Sequence, residues 1–169
     1  MMNHIDSIKT IFQSRLTTLE HLLTSAQAHF GESESFLQER IIADMLPFGT
    51  QIAFTCNLPR NFALWCDGKP MDNLDPDVPS VAKAYEHITN TKELLSSISA
   101  EDKKLGELTR IALGQDLHIE MLGSAYVNDF LMPNFYFHMV TAYDILRMAG
   151  VPIGKRDYMM HLVPLLKQG

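Results

Sequence analysis

From Leu131 to Leu146 the only formally charged residue is Asp144. A helix that is apolar nearly all round belongs inside a protein, not on its surface. His138 stands in the middle of this stretch. Buried there, a histidine needs a hydrogen-bond partner or a chemical role. The rest of the chain must supply elements with one apolar face each to cover such a helix, and its periodicity does so.

Ile5, Ile8, Phe12, Leu16, Leu19, Leu23, Ala26 and Phe30 follow one another at helical spacing, which predicts a helix over about 4–30. Asn3 is its candidate N-cap and Gly31 its stop. A second helix is predicted from Ser33–Ser35, where Ser35 and Gln38 have capping-box spacing. Its stripe is Leu37, Ile41, Met45, Phe48 and Ile52, running on toward Leu58. Pro47 must kink that helix or open a new first turn, with Asp44 as a candidate cap. Helix is expected to about Cys66, ending at Gly68-Lys-Pro70. The segment Asp72–Asp77 reads as a solvated linker: Asp75 and Asp77 have the first spacings of a calcium loop, without its glycine or closing glutamate.

A third helix begins near Pro79, with Val81, Ala84, Ile88, Thr91, Leu95 and Ile98 on one stripe. After a polar loop over Ser96–Glu107, the segments Leu108–Leu113 and Leu117–Leu122 flank Gly114-Gln-Asp and predict a small β-hairpin. The last long helix covers about Asn128/Pro133 to Ala149, with Gly150 past its end and Pro152 beyond, and a short helix near 156–166 closes the chain. The fold class is therefore all-α, a four-helix bundle with a β-hairpin insertion before the last long helix, in a single domain over 1–169. The expected core includes Ile8, Leu16, Ile41, Ile52, Ile88, Leu95, Val140 and Leu146. The long connections at 57–79 and 96–125 leave room for a crossover.

A net charge of −6, with no basic cluster beyond Lys155-Arg156 and Asp157 directly after it, argues against nucleic acid or an anionic membrane as partner. No run approaches the roughly 20 apolar residues of a membrane span. The start, Met-Met-Asn-His-Ile-Asp, lacks the basic and apolar regions of a signal peptide. With only Cys56 and Cys66, this predicts a cytoplasmic protein with two reduced thiols. Gly150-Val-Pro-Ile-Gly-Lys155 is one residue short of a phosphate loop, lacks Ser or Thr after the lysine and follows a helix, so that reading is rejected.

Helical spacing puts Asn134 and His138 on one face, and Asp44 and Gln51 on one face of the second helix. With both faces inward, Asp44, Gln51, Asn134 and His138 converge in the bundle core, and Tyr136 is a further ligand-binding candidate. His138 and Asp44 are the candidate metal ligands. The plainer reading is a set of core polar groups that satisfy one another's hydrogen bonds. The apolar helix at 131–146 also offers more surface than one bundle face needs, which predicts a homodimer.

Pro133-Asn-Phe-Tyr-Phe-His138, the following Tyr-x-Ile-Leu-Arg147 and Gly150-Val-x-Ile-Gly-Lys155 resemble the signature of a bacterial domain-of-unknown-function family, as does the block Asp44-Met45-Leu46-Pro47 to Gln51. That family resembles in turn the DinB/YfiT-like four-helix bundles, many of which are metal-dependent hydrolases or thiol transferases. In that superfamily the last long helix carries His-x-x-x-His before a Leu-Arg-x-x-Gly ending. Setting the ending on Leu146–Gly150 places the second histidine on His138 and the first on Asn134. The third ligand falls near Asp44, where no histidine stands. The resemblance thus implies the fold but an incomplete ligand set. The expectation is a DinB-like bundle that binds a small ligand in a polar core pocket, with no cofactor or a weakly held zinc or nickel. The alternative is a divergent metal-dependent hydrolase or thiol transferase.

Overall fold

Asn3 opens the first helix by the mechanism its side chain suggests: Oδ1 accepts the Asp6 N–H at 2.7 Å. In the computed structural model, which describes residues 3–167, helix α1 spans His4–Phe30. The ends of the expected 1–169 domain lie outside the described residues. Gly31, at φ 63°, closes α1 by donating to the Gln27 carbonyl at 2.9 Å.

The second helix departs from expectation. Ser35–Gln38 forms only a 3₁₀ turn that buries Phe36 and Leu37, and α2 spans Phe48–Cys66. Residues ahead of a proline are pushed out of the helical region, and Pro47 itself serves as the N-cap in extended geometry. The Phe48 N–H reaches back to the Glu39 carbonyl at 2.8 Å, so 39–48 is a closed loop. The Leu37–Ile41–Met45 spacing therefore has no helix to act on, and Ile41 is 41% exposed. Asp44 caps nothing: α2 has no side-chain cap.

Helix α3, Val81–Ser96, starts where Ser80 Oγ accepts the Lys83 N–H at 3.1 Å. Strands β1, Leu108–Gly114, and β2, Leu117–Leu122, pair antiparallel from Leu108↔Leu122 to Gly114↔Leu117. Gly114, Gln115 and Asp116 all have positive φ, the geometry a tight hairpin turn demands. A helical turn at Gly123–Ala125 and a π-helical segment at Tyr126–Leu131 lead into α4, Met132–Met148. Pro133 lacks the N–H that an α-helix would offer the carbonyl four residues back, and the chain is widened there. Gly150, at φ 88°, follows α4, and a short helix at Lys155–Tyr158 precedes a 3₁₀ segment at Met160–Leu165.

Aromatic contacts knit the helices. Phe12 of α1 meets Phe62 of α2 at 5.5 Å and Phe135 of α4 edge-on at 5.1 Å, and all three are fully buried. Trp65 Nε1 donates to Thr109 Oγ1 at 2.9 Å and ties the hairpin to α2. Leu16, Ile52, Ile88, Leu95 and Leu146 are buried as expected, and Ile8 packs partly buried against them. Val140 is a second correction: at 40% exposure it lies on the outer face of α4. No helix among the described residues is long and apolar enough to cross a membrane.

Candidate functional site

Helices α2 and α4 pack along each other and make the most extensive helix pair. His138 stands at this seam, between the edges of Phe54 and Phe137, each with its ring centroid 5.2 Å away. Its Nδ1 lies 2.8 Å from Gln51 Oε1. Gln51 Nε2 already donates to the Leu46 carbonyl at 3.1 Å, so Oε1 is the atom that accepts. His138 therefore carries its proton on Nδ1 and leaves Nε2 as an acceptor. Burial holds His138 below its ordinary range, so the ring is neutral near pH 7.

Beside it opens a cavity of about 260 Å³. Asn57 and Asn61 line it from α2, Asn73 from the 71–79 connection, and Asn134 and His138 from α4, with Phe54, Leu58, Met71, Ala112 and Phe130 as apolar wall. The connection read as a solvated linker is exposed on its outer side but strapped to α2 on its inner one. Asn57 Oδ1 accepts the Leu74 N–H at 2.8 Å and Asn61 Oδ1 the Asp72 N–H at 3.0 Å. Asn61 Nδ2 donates to Asn73 Oδ1 at 2.8 Å, and Thr50 Oγ1 donates to the Pro76 carbonyl at 2.9 Å. Arg60 adds an ion pair to Asp72. Asn134 Nδ2 donates to the Phe130 carbonyl at 2.6 Å, in the widened turn before α4. What these bonds leave unspent on the lining residues is Asn57 Nδ2, Asn73 Nδ2, Asn134 Oδ1 and His138 Nε2, two donors and two acceptors with no formal charge.

Of the residues singled out from sequence, Gln51 and His138 meet directly, and Asn134 lines the same cavity as His138. Asp44 does not join them: it is exposed in the loop before α2 and is not part of the cavity wall. Tyr136 lies on the other flank of α4, with Arg15 and Tyr158. Its place follows from helix phase, since two residues from both Asn134 and His138 is about 200° around the axis. The asparagines of α2 were missed. Their signal was an Asn pair four residues apart inside a largely apolar helix, a residue type that favours caps and turns over helix interiors.

Among the described residues no three His, Cys, Asp or Glu side chains gather where they could share a metal ion. Both cysteines are free thiols, and burial pushes each up to about 12, so neither is a nucleophile at neutral pH.

The sequence matches the family described as Domain of unknown function (DUF1993) over residues 5–159. The chain belongs to the DUF1993 family. No curated protein matches it. Among solved structures, a DinB family member protein from Shewanella denitrificans superposes with a TM-score of 0.77 at 24% identity, covering 89% of this chain and 88% of that one. The likeness is one of fold: this DUF1993 chain is a DinB-like helical structure with a two-stranded hairpin set before its last long helix.

Proposed function

We propose that this DUF1993 protein binds a small uncharged polar molecule in the cavity between α2, α4 and the 71–79 strap. The observation that carries the reading is the donor set. Three carboxamides, of Asn57, Asn73 and Asn134, and one neutral imidazole offer matched donors and acceptors, and no carboxylate, ammonium or guanidinium lines the cavity. A charged ligand would lose its hydration there without a counter-charge, whereas an amide, ureide or polyol would exchange water for equivalent bonds. The apolar wall gives such a ligand a face to bury.

A resident zinc or nickel does not suit these residues. One imidazole with amide oxygens is a weak set for either ion, and Asp44 stands outside the cavity. The alternative reading, a divergent metal-dependent hydrolase or thiol transferase, rests on His138 Nε2 alone. The test combines elemental analysis of protein purified without chelators with calorimetric titration of small amides, ureides and polyols. Saturable binding of a neutral compound, weakened by Asn134→Leu, supports the proposal. One tightly held metal per chain, lost in His138→Ala, overturns it and promotes the enzyme.

The protein is further proposed to act as a homodimer. Phe137, Val140 and Met148, 58%, 40% and 52% exposed, share the outer face of α4. Ile42 and Leu46, 59% and 42% exposed, add apolar surface on the loop that holds Gln51 against His138.

A further inference from the structure

A second cavity, of about 210 Å³, lies on the opposite flank of α4. Arg15 of α1, Tyr136 and Met139 of α4, and Tyr158, Met159 and His161 of the C-terminal segment line it. Its chemistry is unlike the first. Arg15 makes no ion pair among the described residues, and its one side-chain hydrogen bond is a donation from Nη1 to Ser14 Oγ at 2.8 Å. The His161 Nδ1 atom is buried and has no partner. Neither tyrosine hydroxyl bonds to a protein group among the described residues. The nearest carboxylate along the chain, Asp157, is held elsewhere: His21 Nε2 lies 2.8 Å from Oδ1, and the Gly154 N–H donates to Oδ2 at 2.8 Å.

We propose that this cavity binds a small organic carboxylate, with the Arg15 guanidinium, the Tyr136 and Tyr158 hydroxyls and His161 Nδ1 around the carboxylate and the two methionines along its apolar tail. A guanidinium uses several N–H donors and pairs with a planar carboxylate in two parallel bonds. Here most of its donors are unspent and no acidic residue lines the wall. A buried imidazole nitrogen without a partner is rare in a finished structure, and a ligand oxygen would supply the missing bond. Met139 and Met159 are adaptable apolar walls suited to a hydrocarbon or aromatic tail. The Arg15 charge reaches both neighbours: with burial it holds His161 below its ordinary range, and it partly offsets the rise that burial gives Tyr158. The site is independent of the neutral cavity at His138, since α4 separates Tyr136 from Asn134 by half a turn of helix phase.

Benzoate, benzamide and inorganic phosphate titrated into the full chain, with ¹³C-labelled methionine methyls as reporters, test the proposal. Met139 and Met159 report on this cavity and Met71 on the other. Benzoate is expected to bind saturably, to shift the Met139 and Met159 signals and to leave Met71 in place. Benzamide, without the charge, should bind at least about tenfold more weakly, and Arg15→Gln should cost a similar factor. If Arg15→Gln fails to fold, Tyr158→Phe together with the benzoate-against-benzamide ratio decides. No saturable binding of benzoate at about 10 mM, a shift confined to Met71, or, read at Met139 and Met159, equal binding of benzamide or tighter binding of phosphate would each overturn the assignment.

Discussion

Gln51 Oε1 and His138 Nδ1 lie 2.8 Å apart across the seam of α2 and α4, and the second bond of Gln51, to the Leu46 carbonyl, decides which of the two donates. The amide orients the ring as a carboxylate does elsewhere, without giving it a charge. Nitrogen-15 spectra should show the Nδ1-protonated tautomer. Gln51→Glu should raise the His138 pKa, because an opposite charge at this distance favours imidazolium. An unchanged titration in that variant would mean the side chains do not meet.

Acid should weaken the fold before any carboxylate titrates. His138, His87 and His161 are all held below the ordinary 6.5, each chiefly by burial. The unfolded chain then binds more protons than the folded one between the folded values and 6.5, so stability rises with pH in that window. The contribution is complete above about 6.5 and is lost as pH falls below it. Melting temperature by circular dichroism should be flat from pH 8 to 7 and fall from pH 6.5 to 5. His87→Gln, which replaces a buried ring whose Nε2 has no partner, should flatten that fall. A melting temperature constant down to pH 5 would contradict the shielding of these rings from water, His87 being the most deeply placed.

Leu95→Ala should cost about 2–5 kcal/mol in urea denaturation, since Leu95 is fully buried on α3. Ile41→Ala, on the loop ahead of α2, should change stability by no more than about 0.5 kcal/mol. Comparable costs at the two positions would mean that the loop packs as a helix after all.

Gly123 is irreplaceable for lack of room. A Cβ there would stand 2.6 Å from the Lys104 carbonyl oxygen and 2.6 Å from Trp65 Cζ2. Neither backbone nor indole can step aside cheaply, so Gly123→Ala should destabilise by about 1–3 kcal/mol. Trp65 is the single tryptophan, so its fluorescence would report the displacement. A variant with wild-type stability and emission would refute the contact.

Asn61→Ala should free the strap. The Asp72 N–H loses its acceptor and Asn73 its tether, and exchange of the Asp72 amide should quicken. The expected loss of stability is about 1–3 kcal/mol. An unchanged exchange rate would show that the bonds from Thr50, Asn57 and Arg60 hold the segment without Asn61.

Light scattering should return about twice the 19.1 kDa chain mass at micromolar concentration, and Phe137→Glu should return the monomer. A monomer mass for the unaltered chain would end the dimer proposal.

Local chemistry made much of this fold legible. Asn3 and Gly31 bracket α1, the Gly114-Gln-Asp turn makes the hairpin, and Gly150 ends α4 as side-chain and glycine preferences require. Residues 33–47 were not legible, because the Leu37–Ile41–Met45 spacing is helical while Pro47 constrains the backbone ahead of it, and the constraint prevails. Asp44 followed that error, since an i,i+7 relation with Gln51 has meaning only inside one helix. Asn57 and Asn61 were hidden for a different reason. Their i,i+4 spacing marks them as unusual, but their partners are the backbone of a segment more than ten residues away, which that spacing does not name.

The π-helical turn at Tyr126–Leu131 has a consequence for chain length. Upstream, Trp65 and Thr109 dictate how the hairpin sits; downstream, Gln51 and His138 dictate which face α4 turns toward α2. Two rigid bodies with separately fixed orientations do not in general join at a whole number of α-helical residues. The wide turn is the expansion joint between them, and a deletion of one residue there would restore ordinary pitch without rotating Asn134 and His138 away from their cavity.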